Sequence, residues 1–200
     1  MKKVKTNKEE QLIDTARSLF INHGIRRITI DEICKTAGIS RVTFYKYFPN
    51  KNELVIHVFN NMMEENITLF RQIMSSDTPY HEKFRQIFDL KIQKSREYGP
   101  HFLQDVLEAD GALRDFIIQK RAENISLSRQ MLEEGQAAGE ISPELNIDLF
   151  LYYGELLTNT IEDKVFAALI PDIQKRAEEV TRFFMYGIMN ENRISGSGKK

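Results

Sequence analysis

Two hundred residues with 42% hydrophobic content and a net charge of −1 describe a chain able to bury a real core, in one large or two modest domains, and exclude bulk disorder. No apolar run approaches the roughly 20 residues of a membrane-spanning helix, and the lysine-rich start leads into Glu9, Glu10 and Asp14 rather than a signal-peptide core, so a cytoplasmic protein without a membrane partner is expected. The single cysteine, Cys34, excludes an intrachain disulfide and reads as a small core residue rather than a redox sensor.

In chain order, Leu12, Ala16, Leu19 and Phe20 repeat at helical spacing and predict a first helix up to Gly24. Thr29 precedes the apolar run Ile30, Ile33, Cys34 and Ala37, with Glu32 three residues on, so the pair forms a candidate capping box and a second helix starts near Ile30. Gly38 can take the left-handed conformation that ends it. Ser40 then caps a short third helix, Arg41 to Phe48, limited to about two turns because Pro49 disfavours helical geometry before it. From Asn50 an unbroken pattern through Leu54, Val58, Met62, Ile67, Phe70 and Met74 predicts one long helix, straight or once kinked, up to the break at Ser75 to Pro79.

A helix near His81 to Tyr98 follows, ended by Gly99-Pro100, and then a short one through Phe102 and Leu107, closed near Asp110-Gly111. Leu113 to Leu132 lie on a longer helix ending around Gly135 to Gly139, before a turn at Gly139 to Pro143. Asn146 to about Leu169 reads as one helix, and Pro171 opens the last, reaching roughly Asn190. No strand pattern and no internal repeat is found, so the fold class is all-α.

The third helix is unusual in composition. Phe44, Tyr45, Tyr47 and Phe48 offer more aromatic area than one buried face can absorb, and they stand beside Arg41, Thr43 and Lys46. Basic, hydroxyl and aromatic groups on one exposed helix suit double-stranded DNA, where cations meet phosphates and hydroxyls or methyls reach base edges. Charge is divided to match: residues 1–60 hold 11 Lys and Arg against 6 Asp and Glu, a net of +5, while the remainder holds 17 against 23, a net of −6. Lys2, Lys3, Lys5 and Lys8 would form a mobile basic arm, either adding non-specific DNA affinity or serving as a solubilising terminus.

Gly24, Thr29, Ile33, Ala37-Gly38-Ile39-Ser40, Thr43, Tyr45, Tyr47-Phe48, Lys51 and Leu54, at these spacings, resemble the N-terminal signature of TetR-family transcriptional regulators. The resemblance implies a three-helix helix-turn-helix DNA-binding domain over residues 1–53. It also implies a helical effector-binding and dimerisation domain over 54–192, leaving a tail over 193–200 that is flexible by composition and either native or an appended remnant. Arg41 to Phe48 would be the recognition helix in the major groove, with Ser40, Arg41, Val42, Thr43, Lys46 and Tyr47 at the DNA. Thr29, Tyr45 and Lys51 match positions that hold the phosphate backbone. Two residues depart from the family pattern: Val42 replaces the usual glycine, which bears on docking distance and base preference, and Cys34 replaces a frequent alanine.

Apolar positions on more than one face of the last two helices, among them Leu149, Tyr152, Tyr153, Leu156, Phe183 and Phe184, predict a homodimer. The family's body usually holds a small-molecule effector, and Phe88, Tyr98, Phe102, Phe116 and Tyr152 could line an aromatic cavity with Glu155 or Asn159 as polar anchors. The expected function is thus a ligand-responsive repressor on a near-palindromic operator; the alternative is a helical small-molecule carrier or sensor that does not act on DNA. Phosphate-loop, dinucleotide and nucleophile-elbow motifs are missing and the four histidines are scattered, so neither catalysis nor a cofactor is expected. His101 and Asp105, four residues apart, are the closest approach to a metal pair.

Overall fold

The computed structural model describes residues 8–186, within which the chain is built of α-helices and one 3-10 turn. The helices are α1 (Lys8–His23), α2 (Ile30–Ala37), α3 (Arg41–Tyr47), α4 (Lys51–Ser75) and α5 (Tyr80–Glu97). They continue with α6 (Pro100–Leu107), α7 (Gly111–Ala137), α8 (Ile147–Asn159), α9 (Lys164–Leu169) and α10 (Ile173–Tyr186). Contacts divide the chain into two compact units, Met1–Gln72 with Tyr98–Asn124, and Ile73–Glu97 with Ile125–Lys200. No described helix is long and apolar enough to cross a membrane.

The first unit owes its shape to the helical period of its apolar residues. Leu12, Ala16 and Phe20, one turn apart on α1, are all at most 1% exposed, and they meet Ile33 of α2, Phe44 of α3 and Leu54 of α4, each fully buried. Val58, Phe59 and Met62 extend the same core along α4, which is continuous helix over 25 residues. Phe102 of α6 stacks on Phe59 with ring centroids 5.9 Å apart, and Phe116 of α7 meets Phe59 edge-on at 6.4 Å. At the start of α6, the Gly99 N–H donates to the Ile21 carbonyl of α1 at 3.0 Å, and a Cβ at Gly99 would lie inside contact distance of that oxygen. Arg26 reinforces the junction: its backbone N–H donates to Asp105 at 3.0 Å and its guanidinium pairs with Glu108 at 2.5 Å.

In the second unit α5 packs on α10, joined by the Arg96–Glu178 ion pair, and its buried residues include Ile87, Phe88, Met131, Leu132, Ile173 and Val180. The stretch expected to be one helix from Asn146 to Leu169 is broken. It ends at Asn159, passes through a 3-10 turn over Thr160–Glu162 and restarts at Lys164, because Asp163 takes an extended conformation and its carboxylate accepts the Val165 and Phe166 N–H groups at 2.9 Å each. Arg176, 7% exposed, satisfies carbonyls released near the break by donating to Ile161 at 2.9 Å, Ile170 at 2.8 Å and Pro171 at 3.0 Å. Pro171 does not open α10 as expected: the Asp172 carboxylate does, accepting the Gln174 and Lys175 N–H groups at 2.8 and 3.1 Å.

Lys8, expected in the basic arm, is instead the first residue of α1; Lys2, Lys3 and Lys5, the extension of α10 to Asn190 and the 193–200 tail lie outside the described residues.

Phe44→Ala should lower the free energy of unfolding by about 3–5 kcal/mol, whereas Tyr45→Ala, removing a ring that is half exposed and meets Phe44 edge-on at 5.3 Å, should lower it by only about 0.5–1.5 kcal/mol. Urea titration of the two variants checks the pair.

Candidate nucleic-acid interface

The interface is assembled by local chemistry in a stretch of about twenty residues. Thr29, extended at φ −97°, forms both halves of a capping box: its hydroxyl oxygen accepts the Glu32 N–H at 3.2 Å, and the Glu32 carboxylate accepts the Thr29 N–H at 2.7 Å and the Thr29 hydroxyl proton at 2.8 Å. These bonds hold Glu32 below its ordinary carboxylate pKa, the Thr29 N–H contributing most and the hydroxyl next. Gly38 ends α2 in the left-handed region at φ +65°, and the Ile39 N–H returns to the Cys34 carbonyl at 3.0 Å. Ser40 then caps α3, accepting the Thr43 N–H at 3.1 Å, with its hydroxyl 2.9 Å from that of Thr43. Cys34 is buried in this core, and burial pushes its thiol pKa up.

The four aromatics of this segment separate by face. Phe44 is fully buried and Phe48, the residue that ends the helix, is 6% exposed. Tyr45 and Tyr47 turn outward with Lys46, and Val42 is 70% exposed. Arg41 is also exposed, but it is held by Asp31 of α2 through a 3.0 Å ion pair. The outer face of α3 therefore carries a guanidinium, an ammonium, two phenols and one bare valine. Asn50 caps α4 by accepting the Glu53 N–H at 2.9 Å, which sets Lys51 at the start of that helix. Lys51 is half-buried, and burial lowers its pKa against the opposing pull of Asp105 and Glu32.

Residues 12–58, which span this whole motif, match the family described as bacterial regulatory proteins, tetR family. This segment belongs to the TetR family. The chain is similar to the HTH-type transcriptional regulator YhgD of Bacillus subtilis, 24% identical over 193 residues that cover 95% of this chain and 96% of that protein. It is also similar to the HTH-type transcriptional repressor KstR2 of Mycolicibacterium smegmatis, 25% identical over 150 residues and 72% of each chain. A solved structure of the transcriptional regulator FadR from Bacillus subtilis, in complex with stearoyl-CoA, shares the fold with a TM-score of 0.62 at 24% identity, covering 90% of this chain and 98% of that one. With this motif, and with transcriptional regulators as its relatives, the chain is a DNA-binding transcriptional regulator.

Each residue expected at the DNA has a definite place. Ser40, Arg41, Val42, Tyr45, Lys46 and Tyr47 are exposed, Thr43 and Lys51 are half-buried, and Thr29 is exposed with its one hydroxyl proton directed at Glu32. The aromatic residues considered for an effector fall into the two units separately. In the first, Tyr98 and Phe102 lie 5.3 Å apart by ring centroid, in the cluster that includes Phe59 and Phe116. In the second, Phe88 is 6% exposed against Phe84 at 5.0 Å, while Tyr152, Glu155 and Asn159 are exposed on α8. His101 and Asp105 do lie on one short helix, but Asp105 serves Arg26.

Asp31 and Arg26 are the participants that periodicity and composition missed. An acidic residue opening α2 and a basic one opening α3 was the available signal for the first pair. Arg26 and Asp105 are 79 positions apart, and nothing local marks them as partners.

Because the folded pKa of Glu32 is depressed, its contribution is fully present above the unfolded carboxylate pKa and is lost as pH falls through the folded value. The wild type should be more stable than Glu32→Gln at pH 7, and the gap should close in acid. Thermal melts of both proteins across that range check it; a gap independent of pH would show that the charge adds nothing to the cap.

Proposed function

We propose that this regulator is a ligand-responsive repressor that binds a near-palindromic DNA operator as a homodimer and works in the cytoplasm. The observation that carries the DNA half is the two-faced construction of α3: Phe44 and Phe48 anchor it, while Arg41, Val42, Tyr45, Lys46 and Tyr47 are left on the outside. In this reading residues 1–53 form the DNA-binding domain, α3 lies in the major groove, and Ser40 and Thr43 flank the base-reading positions. Thr29, Tyr45 and Lys51 meet the phosphate backbone. Repression is supported by the similarity to KstR2, itself a repressor.

Dimerisation is supported by the outer surface of the second unit. Leu149, Tyr152, Tyr153 and Leu156 of α8 are 46–58% exposed, and Phe183 of α10, the helix packed on α8, is 60% exposed. Large apolar side chains concentrated on two adjacent helices make a patch that suits a second copy. Residues 54–192 would then form both the dimer contact and the effector site. The stearoyl-CoA held by FadR supports a small-molecule effector here. An effector acts by binding one conformation better than another, and it weakens operator binding by that difference in affinity.

Selection of bound duplexes from a random DNA pool, at two salt concentrations, tests the reading. An enriched inverted repeat is the expected result; weak, salt-sensitive binding without enrichment would overturn it. In sedimentation, the wild type should run as a dimer and Leu156→Asp as a monomer, since the carboxylate would have to be desolvated in the contact.

A further inference from the structure

The N-terminal turn of α3 contains one side chain whose exposure the fold does not account for. Val42 leaves 70% of its surface exposed, more than Tyr45 at 50% or Tyr47 at 36% on the same short helix. The anchoring of α3 is already supplied by Phe44 and Phe48 on the other side. Its neighbours in that turn have protein partners: Arg41 is paired with Asp31 at 3.0 Å, and the Thr43 hydroxyl lies 2.9 Å from that of Ser40. Val42 shares its face with Tyr45 and Lys46, three and four positions on, both exposed. A branched apolar group thus stands in the middle of a basic and phenolic surface.

We propose that Val42 reads the 5-methyl group of thymine, so that a thymine facing the N-terminal turn of α3 is a determinant of operator choice. The proposal rests on α3 being the recognition helix. In the major groove, the thymine methyl is the only apolar group that a base pair presents; guanine, adenine and cytosine offer hydrogen-bond donors and acceptors there. Pressed against any of those atoms, the valine methyls would remove water without replacing its hydrogen bonds. Against thymine, two apolar surfaces leave water together. Valine suits the task because its β-branched side chain in a helix strongly prefers one rotamer, so its methyls are fixed relative to the helix. The helix is in turn fixed by its caps and its buried aromatics. Glycine at this position would let the helix approach more closely but would have no group with which to distinguish thymine from cytosine.

The test uses the full-length protein and the duplex enriched from the random pool, resynthesised with deoxyuridine replacing each thymine in turn. That exchange deletes one methyl group and leaves the hydrogen-bonding pattern intact. At one position per half-site, deoxyuridine should weaken wild-type binding by about three- to tenfold. The same exchange should be silent for Val42→Gly, and nearly silent for Val42→Ser, which keeps a Cβ and a better helix propensity should the glycine variant prove unstable. A methyl-sensitive position that persists in both variants would assign the contact to another residue and overturn the proposal. So would wild-type binding that is indifferent to deoxyuridine everywhere, although specific binding would then leave the recognition-helix reading intact. If the random pool yields no specific duplex, both readings fall together.

Discussion

Everything the outer face of α3 presents depends on the burial of Phe44. A helix of seven residues is far below the length at which a helix persists alone in water, because the cost of nucleation is recovered over only a few hydrogen bonds. Two additions make α3 viable. The Ser40 cap contributes about 1 kcal/mol, and burial of the Phe44 ring contributes about 1.5–3 kcal/mol. Phe48, just past the helix, adds a second anchor and meets His57 of α4 edge-on with ring centroids 5.4 Å apart. Outward groups such as Tyr45 and Lys46 inherit their orientation from these inward ones.

The basic surface is less free than its formal charge suggests. Arg41 is held by Asp31 in an exposed pair, and Lys51 is partly desolvated beside Asp105 and Glu32. An exposed ion pair such as Arg41–Asp31 is worth about 0–1 kcal/mol, so Arg41 can exchange Asp31 for another anion at small cost.

The helix-turn-helix was legible in the sequence because its signals are local. Thr29 with Glu32, then Gly38, then Ser40 each satisfy backbone groups within four residues of themselves, and all three act in the structure as their chemistry implies. The break inside the Asn146–Leu169 stretch was not legible, since Leu157, Ile161 and Phe166 maintain an apolar pattern across it and no proline or glycine interrupts the turn. Asp163 decides the matter by competing for N–H groups, and Arg176 accommodates the carbonyls left behind from a different helix. For the aromatic residues of the body, periodicity announces burial in the same way whether a ring fills a core or lines a cavity. The Phe59–Phe102 stack is one outcome that periodicity alone could not distinguish from the other.

The junction of α1 and α6 has a mechanical consequence. Most helix contacts are cushioned by side chains, which can absorb a small displacement by changing rotamer. Where the Gly99 N–H meets the Ile21 carbonyl there is no side chain between the two backbones to act as that cushion. The seam behaves as a stiff hinge pin rather than a soft pad: a shift of α6 along α1 either breaks a main-chain bond or drags the end of α1 with it. Compliance is thereby removed at the point where α6 meets the helix that packs against the α2–α3 pair.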